Sequence, residues 1–233
     1  MKNFAVSLLL LLGGILCADE TVQAVLFPFR EATIASRVES STQKYRYRQG
    51  EAFAAGDVLT ELDSTNYAIK LKQAQDQLAF ARAAYEDKKE LRKGNFTSDF
   101  ELKKAEYEFR TAESSLAIAQ LNLTYCQIRA PFAGKIVEVI TREYETVRPG
   151  QQLLRIIDDN SLLAVMNLPL AKVQPVGSSV TLRIHGGSTV QGKIYEISPQ
   201  ADHRTGTVRI RVLIDNRAGT LRAGMTGVLD HGK

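Results

Sequence analysis

The stretch that decides the fold is LRKGNFTSDF, residues 91–100, where a regular apolar pattern stops and then restarts. Gly94 and Asn95 are turn formers, and Ser98 followed by Asp99 is a typical signal for the start of a helix. On both sides of this break, apolar residues recur at alternating steps of three and four. The pattern predicts two helices joined by a short turn, and such helices run antiparallel to each other.

The recurring positions are the a and d positions of a heptad repeat, sustained for more than three heptads on each side. Before the turn they are Tyr67, Leu71, Ala74, Leu78, Ala81, Tyr85, Lys88 and Leu91, and after it they are Leu102, Ala105, Phe109, Ala112, Leu116, Ala119 and Leu123. Helices lying on a globular core would need a wider apolar stripe, so the narrow seam favours a coiled-coil hairpin. At about 1.5 Å per residue it would extend roughly 40–45 Å. The leucines expected in its seam are Leu71, Leu78, Leu116 and Leu123.

The segments on either side of the helices, residues 22–63 and 125–158, have the sequence pattern of strands and resemble each other. Five residues of the first segment recur at identical spacing in the second: Glu51, Phe53, Gly56, Leu59 and Leu62 match Glu145, Val147, Gly150, Leu153 and Ile156. A second match, with four more residues before the glycine, aligns residues 35–38 with residues 133–136. Chance similarity is the alternative, but the symmetric placement favours a repeat. We predict one β domain that is split by the hairpin, residues 64–124.

The remainder, residues 159–233, contains several short alternating or β-branched runs separated by Gly-Gly, Ser-Pro and Asp-Asn turns. This spacing favours a small β-barrel. The predicted fold class is therefore α+β, with an elongated antiparallel coiled-coil hairpin inserted in a split β domain and a barrel following it.

The N-terminal residues 1–18 have the pattern of a secretory signal peptide. Lys2 precedes a short apolar run, and Ala18 is a small residue suited to cleavage. The run is too short to span a bilayer, which takes about 20 residues; a buried helix is the alternative. Export is therefore expected. Lipid attachment at Cys17 stays open, although Leu16 stands where a lipoprotein signal has a small residue.

Charge and chemistry exclude several function classes. The net charge of +4, or +3 without the predicted signal peptide and its one lysine, is too small to indicate nucleic-acid binding. His185, His203 and His231 are far apart, and we find neither a phosphate loop nor a nucleophile motif. The sequence therefore predicts no enzyme, no metal site and no cofactor.

Three motifs in this order resemble a bacterial family, the periplasmic adaptors or membrane fusion proteins of resistance-nodulation-division efflux pumps. GEAFAAGDVLTELD, at residues 50–63, is similar to the first half of the family's lipoyl-like (biotinyl-like) domain. IRAPFAGKIVEV with VRPGQQLLRIID resembles the second half, and ISPQADHRTGTVRIRVLIDN with LRAGM resembles the family's barrel. The resemblance implies an adaptor that joins an inner-membrane transporter to a TolC-like outer-membrane channel for export of small molecules. It also implies a hexamer in the assembled pump.

The same resemblance implies that the hairpin tip contacts the channel. The family motif is similar to Arg, three residues, Leu, six residues, Ser; Leu91 and Ser98 keep this spacing, whereas Asp87 stands at the arginine position, followed by Lys88. Ser98 would also cap the second helix through the Glu101 amide. The residues expected at the channel contact are Asp87, Lys88, Leu91, Lys93, Gly94, Asn95 and Ser98.

One further expectation comes from comparing the chain with the family pattern, and one alternative function stays open beside it. The family's membrane-proximal domain, built from both chain ends, is expected to be absent, so that the barrel and any lipid anchor would meet the transporter. The alternative function is a secretion adaptor or structural spacer of the envelope, with no transport partner.

Overall fold

The computed structural model describes residues 21–230, so the predicted signal peptide and Cys17 lie outside the described residues. Two long helices and a large β-sheet make up the fold. The helices are α1 (Thr65–Lys93) and α2 (Asp99–Thr124), and a short 3₁₀ helix spans Leu170–Lys172. The strands are β1 (Gln23–Ala35), β2 (Ser40–Ser41), β3 (Ala52–Phe53), β4 (Val58–Glu61), β5 (Gln127–Arg129), β6 (Gly134–Val139), β7 (Thr146–Val147), β8 (Gln152–Pro169), β9 (Ser179–Ile184), β10 (Thr189–Asp202), β11 (Thr207–Asp215) and β12 (Thr226–Leu229).

The chain divides into two compact units. The first contains Phe27–Leu163 and Asp215–Ala223, and so includes both helices. In it, β3 pairs with β6, β6 with β8, β2 with β7 and β4 with β5, all antiparallel. Its core is formed by apolar side chains from both segments that flank the helices: Val38, Phe53, Leu59, Leu62, Cys126, Ile128, Ala130, Phe132, Ile136, Val147, Leu153, Leu154 and Ile156.

The two segments that flank the helices are related by an internal two-fold arrangement of backbone hydrogen bonds. The Gly56 amide donates to Ala130 and the Gly150 amide donates to Ser36, so residues 94 apart in number exchange roles. The same reciprocity links Thr42 to Glu145 and Ile136 to Glu51. The five matched sequence positions have this same offset of 94. The sequence repeat is therefore also a structural repeat, in which backbone amides of each half donate hydrogen bonds to carbonyls of the other half.

The two-fold arrangement corrects the second sequence match. Ser36 and Val38 are equivalent to Ala130 and Phe132, not to residues 134 and 136. All four of these side chains are buried. These positions repeat in location and burial but not in residue type. The alignment based on residue type was therefore wrong by four residues.

At two positions of this domain, the backbone requires glycine. Gly150 has a φ of 87°, a left-handed conformation that L side chains rarely adopt. Gly134 is required for another reason, because a Cβ atom there would lie 2.0 Å from the carbonyl oxygen of Ile157. Strand β6 can therefore pair closely with β8 only because position 134 has no side chain.

The second unit contains Ala164–Ile214 together with the described residues 21–26 and 224–230. Its strands pair antiparallel in the order β1, β12, β9, β10 and β11, and β8 pairs with both β11 and β1. Alternate residues of these strands face inwards, as in Leu182 and Ile184 of β9 and Val208, Ile210 and Val212 of β11. Within residues 21–230, neither helix is apolar enough over sufficient length to cross a membrane.

Candidate functional site: the turn between the two helices

The two helices pack against each other and run antiparallel. The rings of Tyr85 and Phe109 stack with their centroids 5.7 Å apart. Nearer the turn, Lys88 binds Glu101 at 3.3 Å, and Arg92 binds Asp99 at 2.7 Å. The two helices are therefore antiparallel. Their outer ends connect to the β domain, and the turn lies at the opposite end of the helix pair.

The seam between the helices is narrow, and the side chains that are fully buried in it are small. The three buried residues are alanines, Ala81, Ala105 and Ala112. The leucines expected in the seam are half-buried: Leu71, Leu78, Leu116 and Leu123. Alanines at the contact let the two helices approach closely. Each helical turn therefore buries little area, but the contact extends along the whole length of the helices.

Leu91 does not lie in the seam, contrary to the heptad assignment made from the sequence. Its side chain is exposed, whereas Arg92 is partly buried. The alternation of three and four continues with a step of four from Lys88, which leads to position 92. Arg92 takes the seam position because its guanidinium binds Asp99, the Asn95 side chain and the Thr97 carbonyl.

The turn has the hydrogen bonds of a Schellman motif. The Asn95 amide donates to the Arg92 carbonyl at 3.0 Å, and the Phe96 amide donates to the Leu91 carbonyl at 2.9 Å. Asn95 has a φ of 61°, a conformation that asparagine tolerates better than most residues. The pair Gly94-Asn95 therefore ends α1 in a turn that satisfies the carbonyls of Leu91 and Arg92.

Helix α2 begins with a side-chain cap at Ser98. Its hydroxyl oxygen accepts from the Glu101 amide at 3.2 Å. The Glu101 carboxylate accepts from the Thr97 hydroxyl and from Lys88, and these bonds hold the pKa of Glu101 below its usual value. Both helix ends at the turn are thus fixed by local bonds, and the turn is preorganised.

Phe96 and Phe100 are the most exposed aromatic residues of the turn, at 81% and 77%. A Cβ atom on Gly94 would lie 2.5 Å from the Phe96 ring, so the ring packs directly against the glycine backbone. Sequence reasoning did not select either phenylalanine, because it looked for polar turn formers. The available signal was two aromatic residues within five positions of a predicted exposed turn.

The charged groups of the turn largely pair among themselves. Lys93 binds Glu90 at 2.6 Å, while Lys88 and Arg92 bind the acidic residues of α2 described above. Asp87 and Lys93 are exposed on α1. The surface that the turn presents is therefore dominated by two phenyl rings and Leu91, with few free charges.

The described residues hold no cluster of three or more His, Cys, Asp or Glu side chains that suits a metal ion. Cys126 is a free, buried thiol, and burial raises its pKa. Both described histidines lie in the second unit. The His185 ring is hydrogen-bonded to the Thr226 hydroxyl at 2.7 Å, and His203 lies in the loop between β10 and β11.

Two family models match the chain. The barrel-sandwich hybrid domain of RND membrane fusion proteins (RND MFP) matches residues 30–159, and the CusB-like β-barrel domain matches residues 165–232. The first match alone covers more than half of the sequence. The chain belongs to the membrane fusion proteins of the resistance-nodulation-division (RND) class, the family that its motifs predicted.

Two curated relatives show the extent of the likeness. The chain is 27% identical over 223 residues to nodulation protein NolF of Rhizobium meliloti (strain 1021), covering 88% of this chain and 61% of NolF. It is 28% identical over 210 residues to multidrug resistance protein MdtA of Pectobacterium carotovorum, covering 79% of this chain and 51% of MdtA. The chain therefore spans about half to three fifths of the curated relatives it matches.

Solved structures share the fold. A MacA-MexA chimeric protein carrying the Pseudomonas aeruginosa MexA α-hairpin domain matches with a TM-score of 0.77 at 20% identity, over 90% of this chain and 78% of the chimera. A putative efflux transporter from Bacteroides eggerthii matches with a TM-score of 0.75 at 16% identity, over 90% of this chain and 67% of the other.

Proposed function

We propose that this protein is the periplasmic adaptor of a tripartite efflux pump. It links an inner-membrane transporter, of the resistance-nodulation-division type, to a TolC-like outer-membrane channel, and the assembled path exports drugs or other small molecules. The observation that carries the proposal is the preorganised, exposed turn at the end of a long helix pair, inserted between the two halves of the family's barrel-sandwich hybrid domain.

The proposal assigns one role to each part of the chain. Residues 22–63 and 125–158 are the lipoyl-like domain, residues 64–124 are the coiled-coil hairpin that reaches towards the channel, and residues 159–233 are the barrel domain. Strand pairing supports the barrel, because the pairings of β1, β12, β9, β10, β11 and β8 lead back to β1. The adaptor is exported by the signal peptide at residues 1–18.

The channel contact is assigned to Asp87, Lys88, Leu91, Lys93, Gly94, Asn95 and Ser98. Ser98 and Lys88 are also engaged in local bonds, so their contribution to the contact is partly to fix the turn. One turn offers a small area and would bind weakly. Several copies around one channel, six in the proposed assembly, raise the effective concentration of each further contact.

Cysteine crosslinking in whole cells tests this function. Single cysteines are placed at positions 91, 95 and 98, in cells that carry the candidate channel and transporter, and adducts are detected with antibodies against each partner. We expect channel adducts from these positions. Gln75→Cys, exposed on α1 some distance from the turn, is the matched control. A channel that crosslinks equally to position 75, or to none of the turn positions, contradicts the assignment.

Efflux of a fluorescent dye in the same cells provides the second readout. Cells without the adaptor should retain the dye, and cells with the wild-type chain should export it. Channel adducts without any effect on export would instead favour an envelope spacer.

A further inference from the structure

A polar cavity lies in the second unit, where β10 turns into β11. Its volume is about 440 Å³, which is large enough for a small molecule. Three strands and the turn between two of them contribute its polar side chains: Asn167 of β8, Gln200 and Asp202 of β10, His203 of the turn, and Thr207 and Arg209 of β11. The channel contact assigned above uses none of these residues.

The cavity is opened by a bulge in β10. Between the paired residues Ile197 and Ala201, β10 has the three residues 198–200, whereas the facing stretch of β11 has only Arg209. Pro199 lies in this bulge and has no amide hydrogen to donate to the neighbouring strand. A bulge of this kind interrupts the ladder and re-aims side chains. The space beside Arg209 is therefore part of the strand geometry.

The same bulge leaves Arg209 without an acidic partner. Two residues further along β11, Arg211 faces Glu196 of β10 and binds its carboxylate at 2.9 Å. Opposite Arg209 stands the uncharged sequence Ser-Pro-Gln of residues 198–200. In the described part of the chain, the side chains of Arg209 and His203 make neither an ion pair nor a hydrogen bond. The cavity therefore contains a guanidinium group whose five N–H donors are available.

The turn that carries His203 is fixed by backbone hydrogen bonds. The Gly206 amide donates to the Asp202 carbonyl at 2.8 Å, and the Leu170 amide donates to the Gly206 carbonyl at 3.3 Å. One oxygen of the Asp202 carboxylate accepts from the Arg204 amide at 2.9 Å. The other oxygen of this carboxylate remains able to accept from a hydroxyl group. The turn is thus preorganised beside the cavity.

The donors of the cavity outnumber its acidic groups. The guanidinium of Arg209, a ring N–H of His203, and the side-chain amides of Asn167 and Gln200 are donors, and Asp202 is the one carboxylate among the lining residues. A phosphate monoester has three terminal oxygens and a charge of about −1.5 to −2 at pH 7, and arginine binds phosphate with two parallel hydrogen bonds. A phosphate group has only five heavy atoms and leaves much of the cavity free, so an attached polyol fits as well.

We propose that this cavity binds a phosphate monoester of a small polyol, with the phosphate group held by Arg209 and His203. Such a group occurs in soluble compounds such as glycerol 3-phosphate and in the headgroup of phosphatidic acid, where the glycerol hydroxyls are acylated. The acceptor oxygen of Asp202 favours the soluble compound, because that compound retains free hydroxyl groups. The inference goes beyond the proposed efflux role and does not depend on it.

Calorimetric titration of the purified, exported chain with glycerol 3-phosphate tests the site. We expect saturable binding of one ligand per chain, and none of glycerol, which lacks the anion. Arg209→Gln should lower the affinity by about tenfold or more, because a hydrogen bond between two charged groups is lost. Arg209→Lys keeps the charge without the planar fork and should recover part of the loss.

Lys193→Gln is the matched control for Arg209→Gln. It removes one positive charge from an exposed position of β10 outside the cavity, and it should bind like the wild type. Arg209 and Lys193 are both exposed, so thermal unfolding without ligand should be the same in all variants. An equal loss of affinity in Lys193→Gln and Arg209→Gln would overturn the proposal, since it would show general attraction to a positive surface.

Vesicles distinguish the two sources of the phosphate group. The chain is sedimented with phosphatidylcholine vesicles that contain or lack phosphatidic acid. Binding of glycerol 3-phosphate without any preference for phosphatidic acid assigns a soluble ligand, and a preference for phosphatidic acid that is lost in Arg209→Gln assigns a lipid headgroup. The proposal is wrong if the wild type binds neither glycerol 3-phosphate nor phosphatidic acid, or if Arg209→Gln binds them as well as the wild type does. These measurements need no pump partner, so their failure leaves the efflux role untouched.

Discussion

The β domain and the helix pair that it carries are stabilised in opposite ways. The β domain surrounds a core of large side chains, among which Leu153, Leu154 and Ile156 have no exposed surface at all. The two helices fully bury only Ala81, Ala105 and Ala112, and they leave Phe80, Phe100 and Tyr107 exposed. The first region is stabilised by a compact core, whereas the second leaves several of its large apolar residues at the surface.

A matched pair of leucine truncations gives the largest expected difference between the two regions. Leu153→Ala should lower the free energy of unfolding by about 2–5 kcal/mol, since it leaves a cavity in a closed core. Leu116→Ala, in the half-buried seam, should cost less than half as much. Denaturant unfolding followed by circular dichroism measures both. Equal losses would show that the seam is as tightly packed as the core, contrary to the contrast drawn above.

A charged residue in the seam should destabilise the helix pair more than truncation of a seam leucine to alanine does. Leu78→Asp places a carboxylate between the helices, where the partial burial of position 78 makes it costly, by about 1–3 kcal/mol. We expect earlier helix melting and reduced dye export. Gln77→Asp, one residue away and exposed, introduces the same charge outside the seam and should leave both unchanged. Normal export by the Leu78→Asp variant would contradict the seam.

The helices were more predictable from the sequence than the strands, for a physical reason. A heptad seam repeats the same contact many times, so its period survives local exceptions. The one error, at Leu91, arose because residue type was given more weight than the step of four that leads to Arg92. The turn was placed correctly by Gly94 and Ser98, but its phenyl rings were missed because turn residues are recognised by their polarity.

The β domain was predictable where its two halves share buried apolar positions, such as Leu59 and Leu153, or a backbone geometry that restricts residue type. Gly56 and Gly150 recur because both have a positive φ, at 85° and 87°. Ser36 and Ala130 occupy equivalent places through backbone hydrogen bonds that allow many side chains, so their relationship was not visible in the sequence. Alternation likewise predicted strands without predicting which strands are neighbours.

Capping is expected to have an intermediate effect on stability. Ser98→Ala removes the acceptor for the Glu101 amide and should cost about 1 kcal/mol of unfolding free energy. Ser114→Ala is the control, because Ser114 bonds to the Arg110 carbonyl in the middle of α2 and its loss should be close to neutral. Hydrogen exchange of the first turn of α2 measures the local change. Unchanged protection in Ser98→Ala would show that the cap is dispensable.

The internal two-fold predicts a smaller effect of opposite sign at Tyr144. Tyr144 has a φ of 62° and is the equivalent of Gly50, whose φ is 86°. A non-glycine residue in this conformation costs about 1–2 kcal/mol, and part of that is offset by the greater freedom of glycine in the unfolded chain. Tyr144→Gly should therefore raise the unfolding free energy by less than about 1 kcal/mol.

The reciprocal change, Gly50→Ala, serves as the control for Tyr144. Nothing lies within 4 Å of an added Cβ atom at position 50, so any loss of stability there comes from backbone conformation alone. If Tyr144→Gly destabilises instead, the Tyr144 side chain makes a contribution that outweighs its strained backbone.

Replacement of Phe96 should change the unfolding free energy least, and it separates folding from function most clearly. The Phe96 ring is 81% exposed, so Phe96→Ser should leave thermal unfolding unchanged. It should nevertheless weaken binding to the purified channel, because the ring is fixed against Gly94 and presents apolar surface to a partner. Gln75→Ser, at an exposed position of α1 away from the turn, is the control and should bind like the wild type. Since the cations of the turn are paired, binding should also be nearly unchanged between about 0.1 M and about 0.5 M salt, a range in which exposed ionic contacts weaken strongly. Strong salt dependence together with normal binding by Phe96→Ser would mean that charge, and not the aromatic surface, is what the channel recognises.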